Sequence, residues 1–467
     1  MPLTAPIPTA TTITAAASLG ELLDRIHGRT ALVGVVGLGY VGLPLSLLFA
    51  EDGFRVTGFD IDQAKVDTLN AGGSYIHRIE PEHIRAAHAA GFHASSVFAE
   101  VGQLDAILLC VPTPLHADHT PDMSYVVVTI EALAPHLRPG QLVVLESTTW
   151  PGTTEEIIVA TLERAGHRVL RAGAPADHAS AATTQPLDGI LVAFSPERED
   201  PGNATVPRRS IPKVVGGVDA TATAAACALY GEVFASTVPM SSPAAAEMTK
   251  LLENIYRAVN IALVNELKLL CARLHIDLWE VIAAAETKPF GFQAFYPGPG
   301  VGGHCIPVDP FYLNWKGEQV GFSARFIELA GEINESMPAY VVDTTCEALS
   351  ARGGQINGAK VLVLGVAYKR DVDDLRESPS LRILELLREA GAEIAYNDPF
   401  FPTVGTGRHY ELEMTSTPLE DLASFDCVLL ATDHSAYDVR ELVARSKLFV
   451  DTRNATRGIA AGNIVRC

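Results

Sequence analysis

Residues 31–60, ALVGVVGLGYVGLPLSLLFAEDGFRVTGFD, decide the fold class of the N-terminal part of the chain. An apolar strand is followed by a glycine-rich turn, an apolar helical stretch and a second strand that ends at Asp60. Gly37, Gly39 and Gly42 have the spacing G-x-G-x-x-G. The first glycine makes the turn, the second lets a pyrophosphate approach the backbone, and the third allows the helix to pack closely on the strand. The segment therefore predicts a nucleotide-binding βαβ unit.

The same unit predicts the cofactor. The helix N-terminus can hold a pyrophosphate through its N–H groups. A carboxylate at the end of the second strand can accept a hydrogen bond from a ribose hydroxyl while it repels the 2′-phosphate of NADP. This pattern favours NAD, and the alternative is a nucleotide-like fold that binds no cofactor. The predicted cofactor-binding residues are Gly37, Gly39, Tyr40, Val41, Gly42, Asp60 and Thr113.

The rest of the chain continues the alternation of strands and helices. Buried-strand candidates follow at DAILLCVP, QLVVLEST and ILVAFSPE, and a second unit of strand, turn, helix and strand begins at Lys360. Residues 245–277 contain neither Gly nor Pro and repeat apolar residues at helical spacing, which predicts a long helix that is either buried or part of a dimer interface. The expected fold is α/β, with two Rossmann-like doubly wound domains joined by this long central helix. The expected segments are a disordered or frayed leader at 1–30, a first domain at 31–239, a helical region at 240–336 and a second domain at 337–467.

Charge and cysteine usage exclude several classes of protein. Lys and Arg number 35 against 55 Asp and Glu, and the net charge of −20 argues against binding to nucleic acid or to an anionic membrane. No apolar run approaches the roughly 20 residues of a membrane span. The seven cysteines lack metal-binding or disulfide spacing, which indicates reduced thiols in a cytoplasm and no metal site. The Ala-rich segment 171–189 is predicted to be a surface insertion.

The loop FYPGPGVGGHCIPVDPFY, residues 295–312, contains the most informative thiol. Glycines allow close approach of a ligand and prolines reduce the freedom of the loop, so Cys305 is predicted to be a nucleophile; a small buried filler is the alternative. An NAD enzyme with such a cysteine can oxidise an alcohol to an aldehyde, capture it as a thiohemiacetal, oxidise that to a thioester and hydrolyse it to an acid. His304 is expected to pack the loop.

Other polar residues stand at informative positions. Lys250 and Asn254 share one face of the predicted long helix, so both can address the same ligand atom; for Lys250 a surface lysine that snorkels to solvent is the alternative. Glu197 follows a strand, where it can act as a general base or simply face solvent. Lys369 and Arg376 follow the first strand of the second unit, where such sheets bind ligand phosphates, and two surface cations are the alternative.

Several motifs of the chain resemble those of one enzyme family and occur in the same order along the sequence. They are GLGYVGLPL, the GFD that ends at Asp60, VPTP, STTWPGTT, SPEREDPGN, KLLENIYRAVNIALVNE, PGPGVGGHCIPVDP and YKRDVDDLRESPS. Together they are similar to the UDP-glucose/GDP-mannose dehydrogenase family over residues 31–454. The resemblance implies an NAD-binding first domain, a central region for dimerisation and catalysis, a second domain that binds the UDP-sugar substrate, and a homodimer or higher homo-oligomer.

The resemblance also implies roles for single residues. Cys305 would be the covalent nucleophile, and Lys250 with Asn254 would stabilise oxyanions at the sixth carbon of the sugar. Asp309 would take part in proton transfer through water.

Further roles follow from the same resemblance. Glu197 would assist thioester hydrolysis, and Thr148 would position a water or the bound sugar. Lys288 would contact the sugar across a subunit boundary. The expected substrate-binding residues are Arg198, Lys288, Lys369 and Arg376.

Within the family, SPEREDPGN and the loop around Cys305 resemble the branch that oxidises N-acetylated UDP-hexosamines. The resemblance therefore implies a four-electron oxidation of UDP-N-acetylglucosamine at C6, for a surface polysaccharide. UDP-N-acetylmannosamine is the near alternative because the two sugars differ only in configuration at the second carbon, and UDP-glucose and GDP-mannose follow. Two rival classes are a two-electron hydroxyacid-type dehydrogenase and a non-catalytic protein that binds sugar nucleotides.

Overall fold

The computed structural model describes residues 17–76, 78–116, 118, 120–171, 185–199, 206–303, 306–407 and 410–467. The chain forms two compact units, and the main boundary between them falls between Lys250 and Leu251. Within the described residues, no helix is long and apolar enough to cross a membrane. The predicted α/β fold with two Rossmann-like sheets is confirmed.

The first unit contains an eight-stranded sheet of order β3-β2-β1-β4-β5-β6-β7-β8. All neighbouring strands are parallel except β6 and β7, which are antiparallel. The strands are β1 Leu32–Val36, β2 Arg55–Phe59, β3 Phe92–Ser95, β4 Ala106–Leu109, β5 Leu142–Leu145, β6 Leu191–Phe194, β7 Lys213–Gly217 and β8 Thr237–Pro239. The helices are α1 Leu19–His27, α2 Gly42–Glu51, α3 Gln63–Asn70, α4 Pro81–Ala89, α5 Ser124–Leu133, α6 Ala160–Arg164 and α7 Ala220–Gly231.

Every residue of β4, β5 and β6 is buried, as expected for strands covered by helices on both faces. Strands β1 and β2 are likewise buried apart from their first residues. Parallel strands end at the same edge of a sheet, so the turns that follow β1, β2, β4 and β5 meet there. That edge is where the predicted cofactor-binding turn lies.

The predicted leader at 1–30 is wrong for its last part. Helix α1 begins after Ser18, which forms a capping box with Glu21, and it buries Leu22 and Ile26 in the core of the first unit. The Ser-x-x-Glu spacing was the sequence signal for this helix. Residues 1–16 lie outside the described residues.

The predicted insertion at 171–189 is also too long at its end. Leu187 is buried in the core of the first unit, and the carbonyl of Gly189 accepts a hydrogen bond from Gly140. Residues 172–184 lie outside the described residues.

The long helix predicted at 245–277 is confirmed as α8, Pro243–Leu274. The second unit continues with a five-stranded parallel sheet of order β10-β9-β13-β14-β15 and a small antiparallel pair, β11 and β12. Its strands are β9 Lys360–Leu364, β10 Glu393–Asn397, β11 Thr403–Val404, β12 Met414–Thr415, β13 Cys427–Leu430, β14 Phe449–Asp451 and β15 Ile464–Arg466. The remaining helices are α9 Leu278–Glu286, α10 Asp309–Gln319, α11 Arg325–Ser350, α12 Pro379–Glu389 and α13 Val439–Arg445.

Candidate active site

The glycine-rich turn between β1 and α2 leaves an open space beside its backbone. Gly37 has φ of +92°, a conformation that favours glycine. A Cβ on Gly42 would lie 1.8 Å from the carbonyl oxygen of Gly37, so only glycine lets α2 start this close to the strand. A Cβ on Gly39 would meet no atom within 4 Å. Gly39 is therefore not needed for packing, and the space beside it is available to a ligand.

Asp60 follows β2 at the same edge and is 7% exposed. Its Oδ2 accepts a hydrogen bond from the Leu38 amide (3.1 Å) and lies 3.5 Å from Lys65 Nζ, and its Oδ1 accepts from the Asp62 amide (3.0 Å). The carboxylate is thus held at the end of the strand beside the glycine turn.

These residues fit the predicted cofactor. The N-terminus of α2 and the open side of Gly39 can receive a pyrophosphate, and Asp60 can accept a hydrogen bond from a ribose hydroxyl. NAD, when bound, supplies the electron acceptor for each oxidation of the substrate. Tyr40 also lies at the turn, where its carbonyl accepts a hydrogen bond from Arg78 (3.0 Å).

Two loops after neighbouring strands are tied together beside this turn. The Thr113 hydroxyl donates to the Thr148 carbonyl (2.9 Å), and the Ser147 hydroxyl donates to the Val111 carbonyl (2.6 Å). The structure therefore brings together two predicted site residues, Thr113 and Thr148. Their contact fixes the loop 147–154 relative to the loop 111–114.

Glu197 lies after β6 in a strongly polar setting. Its Oε1 accepts hydrogen bonds from the amides of Arg198 (2.8 Å) and Glu199 (2.7 Å), and its Oε2 pairs with Arg208. Burial favours a raised pKa for Glu197, but the charges of Arg208 and Lys213 outweigh it and hold the pKa well below its usual range. The ion pair with Arg208 lowers the basicity of the Glu197 carboxylate, and its predicted role as a general base stays a prediction.

A second buried ion pair lies behind Glu197. Lys213, on β7, pairs with Glu146 at the end of β5 (2.5 Å) and donates to the carbonyl of Pro196 (3.0 Å). The Tyr230 hydroxyl also donates to Glu146. This cluster ties β5, β7 and α7 to the segment that contains Glu197.

Lys250 lies on α8 and is 6% exposed. Its ammonium makes no hydrogen bond or ion pair with any residue in the described part of the chain. An unpaired buried cation is costly, and such groups are typical of sites that receive a negative charge from a ligand or a transition state.

Asn254, four residues further along α8, is 2% exposed and donates from its side-chain amide to Asp309 Oδ2 (2.6 Å). Asp309 is fully buried at the first turn of α10. The structure therefore brings together these two predicted catalytic residues. Cys305 and His304 lie outside the described residues, between Gly303 and Ile306.

A chain of buried amides holds the start of the loop that contains Cys305. The Gly298 amide donates to Asn265 Oδ1 (3.0 Å), Asn265 Nδ2 donates to Asn334 Oδ1 (2.9 Å), and Asn334 Nδ2 donates to the Ala258 carbonyl (3.3 Å). Asn265 and Asn334 lie on α8 and α11. The loop is therefore anchored to both helices, and the direction of each bond fixes the orientation of both side-chain amides.

The loop after β9 meets the same glycine-rich segment. The Gly303 amide donates to the Arg376 carbonyl (2.8 Å), and a Cβ on Gly302 would lie 2.5 Å from the side chain of Tyr368. The Arg376 guanidinium makes a two-point contact with Asp374 (2.7 and 3.0 Å). Lys369 is half-buried in this loop.

Two further predicted substrate-binding residues make local contacts. The exposed Lys288 places Nζ 5.0 Å from the centre of the Phe290 ring, and Arg198 donates to the Pro212 carbonyl (2.7 Å).

Family models match nearly the whole length of the chain. The NAD binding domain of the UDP-glucose/GDP-mannose dehydrogenase family matches residues 31–234, its central domain matches residues 244–336, and its UDP binding domain matches residues 362–458. The chain belongs to the UDP-glucose/GDP-mannose dehydrogenase family. It is an NAD-dependent UDP-sugar dehydrogenase.

Similar proteins span almost the same length as this family member. The UDP-N-acetyl-D-mannosamine dehydrogenase of Escherichia coli K12 is 36% identical over 423 residues, which are 88% of this chain and 95% of that protein. The solved UDP-D-ManNAc dehydrogenase of Pyrococcus horikoshii is 31% identical, with a TM-score of 0.80 over 93% of this chain and 98% of the other. The solved UDP-glucose dehydrogenase of Pyrobaculum islandicum is 29% identical, with a TM-score of 0.78 over 93% and 96% of the two chains.

Several polar residues around the UDP-glucose/GDP-mannose dehydrogenase site were missed by the sequence analysis. Glu247 and Lys213 each gave a signal, because a charged residue within an apolar helix or strand usually has a buried partner. Arg208 gave none. Arg453 lies against the thiol loop, since a Cβ on Gly298 would come within 2.8 Å of its Nη1.

Proposed function

We propose that this UDP-sugar dehydrogenase oxidises UDP-N-acetyl-D-mannosamine at C6 to the corresponding uronate in a four-electron reaction with Cys305 as nucleophile. The observation that carries the proposal is the contact between Asn254, on helix α8, and the buried Asp309, at the first turn of α10, together with the burial of Lys250 four residues before Asn254 on α8. A single alcohol oxidation requires no nucleophilic thiol such as the one proposed for Cys305.

The proposed sugar is the near alternative of the sequence analysis, whose first expectation was UDP-N-acetylglucosamine. Curated relatives that span most of this chain, from Escherichia coli to Methanococcus maripaludis, are UDP-N-acetyl-D-mannosamine dehydrogenases, and they support the mannosamine sugar better. Likeness of fold does not separate the sugars, because the Pyrobaculum islandicum UDP-glucose enzyme has nearly the same TM-score as the Pyrococcus horikoshii enzyme.

The proposed sequence of steps balances electrons and protons. The C6 alcohol loses a hydride, for which NAD is the acceptor, and a proton, and it becomes an aldehyde. The Cys305 thiolate adds to the aldehyde carbon while the carbonyl oxygen takes up a proton, which gives a thiohemiacetal. Loss of a second hydride and of the hydroxyl proton gives a thioester, and water then breaks the C–S bond to release the acid and the thiol. Lys250 and the Asn254 amide would stabilise the negative oxygen at C6 in these steps.

Asp309 is the proposed partner for proton movement. Its carboxylate is fully buried and is oriented by the Asn254 amide at 2.6 Å. Because the ion pair with Arg208 lowers the basicity of Glu197, we propose that Glu197 holds the loop 197–199 through its hydrogen bonds to the amides of residues 198 and 199, and that Asp309 activates the hydrolytic water.

The decisive experiment measures NADH formed per sugar consumed, with UDP-N-acetylmannosamine, UDP-N-acetylglucosamine and UDP-glucose side by side. We expect a ratio near two on UDP-N-acetylmannosamine alone. The same ratio on another sugar would keep the mechanism and change the substrate, whereas a ratio near one would end the four-electron proposal.

Cys305→Ala should lose acid formation and keep NAD binding, and near-normal acid formation by this variant would exclude the covalent route.

We also propose that two copies of this chain form a dimer through helix α8. Leu252, Tyr256, Leu263, Leu270 and Leu274 are all exposed along this helix. Their spacing follows the helical repeat, so they form one apolar stripe. Leu263→Glu with Leu270→Glu should convert the enzyme to monomers in light scattering, whereas the exposed-site change Glu266→Gln should not; an unaltered mass for the double variant would reject this interface.

A further inference from the structure

Glu247 is a fully buried carboxylate on α8 that the proposed chemistry does not use. Its Oε2 accepts a hydrogen bond from the Gly152 amide (2.6 Å), and its Oε1 accepts from the Thr154 amide (2.9 Å) and the Thr154 hydroxyl (2.7 Å). Among the residues that the structure describes, it has no cationic partner within ion-pair distance. Burial favours the neutral acid and raises the pKa of Glu247. Burying an ionised carboxylate at this position would cost free energy without these hydrogen bonds.

The partners of Glu247 belong to the loop that contains Thr148. Gly152 and Thr154 lie at the end of STTWPGTT, where a π-helical turn, Thr154–Val159, begins. Glu247 accepts hydrogen bonds from two N–H groups that such a helix start leaves without an intrahelical partner. The other side of this loop is fixed at Thr148 by Thr113. The loop is therefore held at both ends, and the Glu247 end connects it to α8.

Lys250 lies one helical turn after Glu247. Residues three apart on a helix are neighbours, and Glu before Lys is the favourable order for an ion pair. That pair is not formed: all three contacts of Glu247 go to the loop, and Lys250 has no partner among the described residues. The loop amides hold the carboxylate and leave the ammonium of Lys250 available to the substrate oxygen.

We infer that Glu247 is a positioning residue that sets the register between Thr148 and Lys250, and that its contacts with the loop keep its own carboxylate from neutralising Lys250. The inference rests on the proposed function, because it gives Lys250 and Thr148 their roles. It assigns no contact between Glu247 and the substrate.

The first test uses Glu247→Gln in the full-length enzyme. The amide keeps the shape of the side chain, but its NH₂ group faces one of the loop N–H donors. We expect kcat to fall about 30-fold while KM for NAD changes less than about twofold, as for an interaction realised in the transition state. The matched control is Glu155→Gln, which removes an equal charge from an exposed position in the same turn and should retain near-normal kcat.

A double-mutant cycle separates positioning from general damage. Thr148→Ala and Glu247→Gln should together cost clearly less than the product of their separate losses, because both disrupt the same contact with the substrate. Multiplicative losses, or a Glu247→Gln enzyme with normal kcat, would overturn the inference.

Two further measurements keep the result interpretable. If Glu247→Gln does not fold, Thr154→Ala removes only the hydrogen bond from the hydroxyl and should lower kcat about fivefold with KM for NAD unchanged. A normal kcat in that variant would reject the inference.

Acylation of Lys250, followed by mass spectrometry, should also be slower in Glu247→Asp, whose shorter side chain releases the loop amides and turns to Lys250. Unchanged acylation would contradict the inference even if wild-type enzyme produced no acid, so its failure is distinguishable from failure of the proposed function.

Discussion

The two parallel sheets begin with the same unit of strand, turn, helix and strand, and they use the turn differently. After β1 the turn passes through Gly37 and Gly39, and the side of Gly39 is open. After β9 it passes through Gly365 and Ala367, and Ala367 is fully buried. Gly365 (φ +81°) and Gly37 (φ +92°) have similar positive φ angles, so the backbone bends similarly at both glycines. The first turn therefore has an open position at Gly39, whereas the corresponding position of the second turn is filled by a buried alanine side chain.

The aspartates that follow β2 and β10 also differ in how many hydrogen bonds they accept from the neighbouring turn. Asp60 accepts one hydrogen bond from its turn, at Leu38. Asp398, after β10, accepts from both Val366 (2.7 Å) and Ala367 (3.1 Å), and its Oδ2 also contacts Nε2 of the buried His434 (3.1 Å). The amides that would face a phosphate in the second sheet are used internally. A shared fold therefore does not imply a shared ligand, because the contacts of the turn decide which groups remain available.

The largest expected effect concerns the closed turn. Asp398→Asn should lower the free energy of unfolding by about 3 kcal/mol, because it disrupts a buried network of two amides and a histidine. NAD affinity should be unchanged. Chemical denaturation and fluorescence titration measure the two quantities, and a weaker NAD affinity in this variant would mean that the sheets are not functionally separate.

The open turn should show the opposite response. A Cβ at residue 39 would meet no atom within 4 Å, so Gly39→Val should change the free energy of unfolding by less than about 0.5 kcal/mol. NAD should bind about 100-fold more weakly, because the side chain fills the space predicted for the pyrophosphate. Calorimetric titration tests this, with Gly42→Ala as the comparison, since its Cβ collides with Gly37 and should reduce stability. Normal NAD binding by Gly39→Val would place the cofactor elsewhere.

Asp60→Asn should have a smaller effect than either. Loss of a charged acceptor for a ribose hydroxyl should weaken NAD binding about tenfold, which corresponds to about 1.4 kcal/mol. The variant should also discriminate less strongly between NAD and NADP, because the repulsion of a 2′-phosphate is removed. Steady-state kinetics with both cofactors measures this ratio, and an unchanged ratio would remove Asp60 from the cofactor site.

The smallest expected effect is a pH dependence of the closed turn. Burial favours a raised pKa for Asp398, but hydrogen bonds from His434 and the turn amides prevail and lower it. Because the pKa of Asp398 is lower in the folded chain than in the unfolded chain (about 3.9), ionised Asp398 stabilises the fold at pH values above the unfolded pKa. This contribution disappears as the pH falls through the folded pKa. The stability difference between wild type and Asp398→Asn should therefore stay constant from pH 7 to pH 5 and shrink by about 1 kcal/mol on further acidification. A difference that grows on acidification would contradict the sign.

Local spacing accounts for the parts of the protein that the sequence predicted. The turn at Gly37, Gly39 and Gly42, the buried strands and the helix at Pro243–Leu274 depend on residues that are close in the chain, where glycine conformations and apolar periodicity act directly. The spacing of four residues likewise predicted that Lys250 and Asn254 lie on the same face of this helix. The capping box at Ser18 was equally local, and the leader prediction missed it.

Contacts between distant residues were decided only by the tertiary structure. Nothing near Glu197 in the chain indicated that Arg208 would keep it ionised, and nothing near Asp398 indicated His434. Glu247 reaches Gly152 and Thr154 only because α8 packs on the loop after β5. Such partners depend on how elements pack, which periodicity does not encode. The sequence by itself therefore determined the fold class, the cofactor turn and the family, whereas packing determined which charged groups are neutralised and which remain available for chemistry.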